Sequence, residues 1–108
     1  MASLESSPEI RRLESKLGVE LLWLFILSLL KKEGKTHAYA LRKKIKESFG
    51  FLPGNVSAYV VLYKLESRGF VKTKKDGNRV VYSITQKGND LFREAEKSMG
   101  RKMNLIFG

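Results

Sequence analysis

Apolar residues recur along the chain in patterns that predict helices and one pair of strands. The first series, Ile10, Leu13 and Leu17, has helical spacing and follows a Ser7-Pro8 start that is typical of a helix N-terminus. A continuous apolar run then occupies residues 21–30. A membrane-spanning helix needs about 20 apolar residues, so this shorter run predicts a helix over residues 19–33 that is buried on nearly all sides.

Punctuating residues divide the rest of the chain. Asp76-Gly77-Asn78 is a strong hairpin signal because these residues tolerate positive φ. Gly18 either separates the first two helices or lies within one long kinked helix. The later elements are predicted as a helix over 37–49 begun by Thr36, a helix over 56–68 ended by Gly69, strands over 70–75 and 79–85, and a helix over 86–98 begun by Thr85.

The order helix, helix, turn, helix, hairpin, helix is that of a winged helix-turn-helix. The predicted fold class is therefore α+β and mainly helical, with a two-stranded wing formed by residues 70–85. We expect residues 1–7, which are small and polar, to form a disordered tail. We expect residues 8–108 to form a single domain, because a segment of this length can bury one modest core.

Positive charge is concentrated in one part of the chain. Residues 31–79 carry 13 Lys or Arg and four Asp or Glu, whereas the whole protein has a net charge of +10. Such concentration on a folded segment indicates a polyanionic partner, whereas a generally basic protein would spread its charge. The chain has no cysteine, which excludes disulfides and thiolate metal sites and suits a cytoplasmic location.

A winged helix suits duplex DNA because the major groove admits one α-helix while the wing reaches the neighbouring backbone or minor groove. The candidate DNA-contacting residues are Tyr39, Arg42 and Lys43 on the second helix of the motif, Ser57, Tyr59, Tyr63 and Lys64 on the third, and Lys74, Lys75 and Arg79 on the wing. Each type of side chain has an alternative role: the tyrosines could cap the core, and the lysines could be solvated or protect a strand edge.

Catalysis has little support in the sequence. There is one histidine, His37, and there is neither a paired nucleophile and base nor a phosphate-cradling glycine motif. A lone histidine beside Thr36 is better explained as a residue in the first turn of a helix than as a metal ligand. We therefore expect no enzyme activity, no metal and no cofactor.

Three segments resemble the PadR-type transcriptional regulators. His37-Ala38-Tyr39-Ala40-Leu41 resembles the family's His-Gly-Tyr-Glu-Leu segment. The segment from Ser57 to Val71 resembles its recognition helix and the Gly-Leu-Val that follows, and Tyr82-Ser83-Ile84-Thr85-Gln86-Lys87-Gly88 resembles its Tyr-x-Leu-Thr-x-x-Gly ending. The resemblance covers residues 21–91. Ala38 and Val60 depart from the usual glycine and proline.

The resemblance implies a homodimeric DNA-binding repressor that often releases DNA when it binds a small molecule. Carried over by position, Tyr39, Ser57, Tyr59 and Lys64 face DNA, and the wing cations hold phosphates. The short C-terminal region implies that an N-terminal and a C-terminal helix form the dimer, which agrees with the surplus of apolar residues at both ends. Trp23 and Phe25 belong to the core or the dimer seam, or they line a pocket for a small hydrophobic effector.

Three rival functions stay open at this point. A MarR-like regulator shares the wing pattern, although it usually has longer flanking helices. A chromatin or RNA-binding module would bind nucleic acid without sequence preference, and a protein-interaction module would use the same fold to bind an acidic partner. None of these functions places the protein in a membrane.

Overall fold

The computed structural model describes residues 3–108, which form five helices and a three-stranded antiparallel sheet. The helices are α1 (Pro8–Glu20), α2 (Leu22–Glu33), α3 (Ala38–Phe49), α4 (Asn55–Ser67) and α5 (Gln86–Phe107), and the strands are β1 (Lys35–His37), β2 (Val71–Asp76) and β3 (Arg79–Ile84). The sheet order is β1-β3-β2, with the hairpin of β2 and β3 forming the wing. The predicted fold class, a mainly helical winged helix-turn-helix, is confirmed.

Helix α2 lies at the centre of the core, as its apolar run predicts. Ile26, Leu27 and Leu30 are completely buried. The helix packs against α1, α3, α4, α5 and the sheet, so the other elements take their positions relative to it. Complete burial of a leucine or isoleucine side chain contributes roughly 1.5–3 kcal/mol, which makes α2 the main source of hydrophobic stabilisation.

The start of α3 differs from the sequence prediction. Thr36 does not cap a helix: it is buried in β1, where it lies opposite Tyr82 of β3. Helix α3 begins two residues later, and His37, its N-cap residue, makes no side-chain capping hydrogen bond. Pairing with β3 satisfies the backbone of this segment, and that gain outweighs the local capping preference of threonine.

The start of α1 agrees with the sequence prediction, whereas its end lies beyond Gly18. The Ser7 hydroxyl accepts a hydrogen bond from the Ile10 amide at 3.2 Å, which confirms the predicted cap. Gly18 does not end the helix: it is buried inside α1, where an added Cβ would lie 2.7 Å from the Phe51 ring. The break falls instead at Leu21, between α1 and α2.

Helix α5 is longer than predicted. It runs to Phe107 instead of ending near Ser98, and it passes through Gly100. One glycine inside a helix costs about 1 kcal/mol, which the flanking helix-forming residues offset. The Thr85 hydroxyl accepts a hydrogen bond from the Gly88 amide at 3.0 Å, so the predicted start of this helix is confirmed.

The N-terminal tail is partly described. Leu4–Ser6 form one exposed 3-10 turn, in which the Ser3 hydroxyl accepts a hydrogen bond from the Glu5 amide at 3.2 Å. Residues 1 and 2, which belong to the predicted disordered tail, lie outside the described residues. The division into a tail over 1–7 and a single domain over 8–108 stays a prediction.

The glycine of the Thr-x-x-Gly segment provides a test of the packing at the base of the wing. A Cβ on Gly88 would overlap the Phe70 carbonyl oxygen and lie 2.7 Å from the Ile84 side chain. We predict that Gly88→Ala lowers the free energy of unfolding by about 1–3 kcal/mol, the usual cost of overpacking. The measurement is urea denaturation at a fixed protein concentration.

The matched control is Gly100→Ala in the same helix. No heavy atom lies within 4 Å of a Cβ there, so the substitution should raise stability by about 0.5–1 kcal/mol through helix propensity alone. Equal effects of the two substitutions would contradict the assigned role of Gly88.

Candidate nucleic-acid interface

Helix α4 buries one face and leaves the other open to solvent. Ala58, Leu62 and Leu65 pack into the core. The opposite surface, which we call the reading face, is exposed and consists of Ser57, Tyr59, Tyr63 and Lys64. Tyr63 is 70% exposed and Tyr59 is 48% exposed. Four residues predicted from the sequence as DNA contacts therefore lie together on one accessible surface.

Tyr39 lies at the start of α3, next to the reading face. Its side chain is 88% exposed, which excludes the alternative that it caps the core. A shallow groove of about 660 Å³ is lined by Tyr39, Tyr59, Arg79 and Tyr82. The fold therefore brings residues from α3, α4 and the wing to one surface.

Tyr82 lines this groove as well, although the sequence did not predict it as a DNA contact. Burial, followed by the negative charge of Glu66 and the nearby Tyr59, raises the pKa of the Tyr82 hydroxyl above its usual 10.0. The hydroxyl is protonated at neutral pH, as an unperturbed tyrosine also is, and is able to donate a hydrogen bond. Its position in the strand, on the side of the hairpin that faces α4, follows only from the register of β3, which the sequence does not reveal.

Arg42 has a structural contact that the sequence did not predict. Its Nε donates a hydrogen bond to the Pro53 carbonyl oxygen at 2.9 Å, and the side chain is half-buried. This bond joins α3 to the segment that leads into α4. Lys43, the neighbouring candidate, is exposed. Arg42 therefore fixes the turn between the two helices, whatever else it contacts.

The wing does not bring its three predicted cations to one surface. Arg79 lines the groove with Tyr39 and Tyr59. Lys74 and Lys75 are successive residues of β2, opposite Val81 and Val80 respectively, so their side chains leave opposite faces of the sheet. All three cations are exposed.

Trp23 and Phe25 have separate environments. The Phe25 ring stacks on the Phe49 ring, with centroids 4.4 Å apart and an interplanar angle of 13°. Trp23 instead lines an open groove of about 380 Å³ between α2 and α5, with Leu91, Ala95 and Met99. Trp23 lines this groove and Phe25 does not, and the association of either residue with an effector site stays a prediction.

The comparison that decides the family covers most of the fold. The sequence model of the family described as "Transcriptional regulator PadR-like family" matches residues 26–94, well over half of the chain. The chain belongs to the PadR-like family. Its members are transcriptional regulators and not enzymes, which confirms the predictions of the family and of no enzyme activity and leaves no support for the MarR-like alternative. No curated protein matches the sequence significantly.

Solved structures agree with the PadR-like fold. A PadR family transcriptional regulator from Eggerthella lenta has a TM-score of 0.80 at 21% identity, with 96% of this chain and 94% of that chain covered. A transcriptional regulator from Clostridium thermocellum gives 0.74 at 23%, covering 80% and 89%. F93 from STIV, a winged-helix DNA-binding protein, gives 0.69 at 20%, covering 73% and 87%. At these identities the likeness shows the fold alone.

Two further observations apply to residues 3–108 of this PadR-like protein. None of their helices combines the length and the apolar character needed to cross a membrane. No group of three or more His, Asp or Glu side chains in this range is arranged to hold a metal ion.

The Arg42–Pro53 contact leads to a prediction about stability that does not involve DNA binding. We predict that Arg42→Ala lowers the free energy of unfolding by about 1.5–3 kcal/mol, because a hydrogen bond from a charged group is lost. Lys43→Ala should change it by less than about 0.5 kcal/mol, as is usual at an exposed site. Thermal and urea denaturation measure both, and equal effects would show that the Arg42 bond does not stabilise the turn.

Proposed function

We propose that this PadR-like regulator is a homodimer that binds specific sequences of double-stranded DNA and represses transcription. Each protomer inserts α4 into a major groove, while the wing contacts the backbone or the minor groove. The repressor role rests on the family resemblance. The single observation that carries the DNA-binding proposal is the reading face of α4, which is exposed although it holds two tyrosines.

The chemistry of the reading face supports base recognition. A Lys side chain donates to the O6 and N7 acceptors of guanine, and hydroxyl groups bond to several base edges. Val56 and Val60 add apolar surface, being 76% and 44% exposed, and apolar side chains contact thymine methyl groups. Lys64 is the cation of this face, so it is the residue that we expect to contribute most to specificity.

Residues around the reading face suit phosphate contacts, which position a protein without specifying sequence. Tyr39 offers an exposed hydroxyl beside α4, and Arg79 offers a guanidinium from the wing. Lys43, Lys74 and Lys75 add exposed positive charge. Arg42 contributes by holding the turn, and its remaining N–H groups are available to a phosphate.

Exposed apolar residues at the two ends of the chain support the homodimer. Leu13 and Leu17 of α1 are 52% and 44% exposed, and Leu105, Ile106 and Phe107 of α5 are between 65% and 79% exposed. Contiguous apolar surface of this kind marks an interaction site. A second copy of the chain covers both ends at once if α1 of one protomer packs on α5 of the other.

The effector proposal is narrower than the sequence suggested. A small hydrophobic molecule would bind in the groove beside Trp23, which lies between α2 and the helix that we assign to the dimer. Binding there would change the distance between the α4 helices of the two protomers.

The experiment that tests the function is a selection from a random duplex library at about 150 mM salt, where non-specific binding is weak. We expect an enriched inverted repeat whose halves are about one helical turn apart. Binding without enrichment would favour the non-specific chromatin or RNA-binding module, and no binding would favour the protein-interaction module.

For the selected site, we predict that Lys64→Ala weakens binding by about 1–3 kcal/mol, which is the usual value of a specific base contact. Fluorescence anisotropy at several salt concentrations measures the change. Lys97→Ala on α5 removes the same charge far from the reading face and should leave affinity nearly unchanged. If the two variants bind alike, Lys64 is not a base contact.

For the dimer, we predict that Leu13→Glu raises the dimer dissociation constant by at least about tenfold, because it buries an unpaired carboxylate at the interface. Leu13 is exposed in the protomer, so the fold should survive. Sedimentation equilibrium measures the change, with Leu52→Glu as the control because Leu52 is also 50% exposed but lies in the turn before α4. An unchanged constant would remove α1 from the interface.

A further inference from the structure

One face of the sheet carries cations on both outer strands, β1 and β2. In the sheet, Lys35 and Lys72 lie on either side of Ser83, and His37 and Lys74 lie on either side of Val81. Residues directly opposite each other in an antiparallel sheet project from the same face. Lysines from β1 and β2 therefore share one surface, with a hydroxyl between the first two.

Two helices close one side of this surface and make it concave. The Lys31 ammonium at the end of α2 donates a hydrogen bond to the Asn89 Oδ1 of α5 at 3.3 Å. Lys31 and Asn89, together with Leu30 and the sheet, form a groove of about 1030 Å³. We call it the lysine groove. It is lined by Lys31, Lys35, Lys72 and Lys74, together with His37, Ser83 and Asn89.

The charge of the lysine groove is not balanced within residues 3–108. The ion pairs in this range are Lys44 with Glu33 and Lys97 with Glu94, and neither includes a lysine of the groove. Asp76 is the one carboxylate that lines it, at the far end of β2. Clustered ammonium groups repel one another, so an anion in the groove would relieve a cost that the free protein bears.

A second observation concerns His37. Its Nε2 is buried and has no hydrogen-bond partner among the described residues. Buried polar atoms are nearly always hydrogen-bonded, because an unpaired one has lost its bonds to water without replacement. His37 lines both the lysine groove and the groove beside Tyr39, so its unpaired imidazole lies close to the proposed site.

We propose that the lysine groove binds a small polyanion that carries at least two phosphate groups. The strands that hold Lys35 and Lys72 are two strand spacings apart, about 10 Å, so one phosphate is a poor match for both rows of cations. Lysine is a common phosphate ligand that acts as a point charge. Lys74 is also one of the wing cations that we propose as DNA contacts, whereas Tyr39 and the reading face do not line this groove. Binding of the small polyanion is therefore measured without DNA.

Inorganic tripolyphosphate is a suitable probe of the site. Isothermal titration at about 150 mM salt, where surface charges are screened beyond about 8 Å, gives the affinity. His37 is the sole histidine of the chain, and it lines both the lysine groove and the groove beside Tyr39. Its imidazole resonances therefore report binding at either surface without assignment of the rest of the spectrum, and the paired variants below distinguish the two. We expect saturable binding that shifts the His37 resonances.

Paired variants separate this site from general charge attraction. Lys35→Gln with Lys72→Gln removes two cations of the groove, whereas Lys46→Gln with Lys97→Gln removes two exposed cations elsewhere. We expect the first pair to weaken tripolyphosphate binding by about tenfold or more, since charge-assisted hydrogen bonds are lost. The second pair should change it less than about twofold. Thermal melting checks that both proteins are folded.

Three results would overturn the proposal. The first is equal weakening by both pairs of substitutions, and the second is binding that leaves the His37 resonances unmoved. The third is that a 20-base-pair duplex loses affinity selectively with the first pair, because the groove would then belong to the DNA-binding surface. Failure of DNA recognition in the library selection would leave the titration with tripolyphosphate unaffected.

Discussion

Burial of α2 on nearly every side is the constraint on which the rest of the molecule depends. Ile26, Leu27 and Leu30 have no contact with solvent, and the helix packs at once against α3, α4, α5 and β3. Protein interiors are close-packed, so the angle of α4 and the base of the wing are both set relative to this one helix. The reading face therefore lies on a helix whose opposite side is held by the core.

A second set of contacts joins the wing to α5 and explains the Thr-x-x-Gly pattern physically. The Thr85 hydroxyl donates to the Gly69 carbonyl oxygen at 2.6 Å and accepts from the Gly88 amide. The Lys87 ammonium donates to the Arg68 carbonyl oxygen at 2.6 Å and lies 4.8 Å from the centroid of the Phe70 ring. The threonine caps α5, the lysine bonds to the end of α4, and the glycine admits the close approach of the Phe70 carbonyl. The end of α4, the wing and α5 thus form one connected unit.

Much of the fold was predictable because local signals and tertiary packing agree. The Ser7 and Thr85 caps, the hairpin at Gly77 and the inward faces of α3 and α4 follow from residue type and spacing. Strand β1 was not predictable, since three residues give almost no periodic signal and Thr36 favours a cap when considered alone. The length of α5 was missed because the glycine at 100 is also a common end signal. At the site, the exposed tyrosines could be anticipated from helix periodicity, whereas Tyr82, the Arg42–Pro53 bond and the lysine groove depend on the register of β1, β2 and β3 and on contacts between distant segments.

Chemical protection of bound DNA is the measurement that shows whether the exposed face of α4 contacts bases in the major groove. Dimethyl sulfate methylates guanine N7 in the major groove and adenine N3 in the minor groove, and these atoms are the acceptors that bound proteins cover. We expect two patches of protected guanine N7 whose centres are about 10 base pairs apart, as in other dimeric helix-turn-helix proteins. Full methylation of every N7 in the bound site would contradict this expectation and would remove α4 from the major groove.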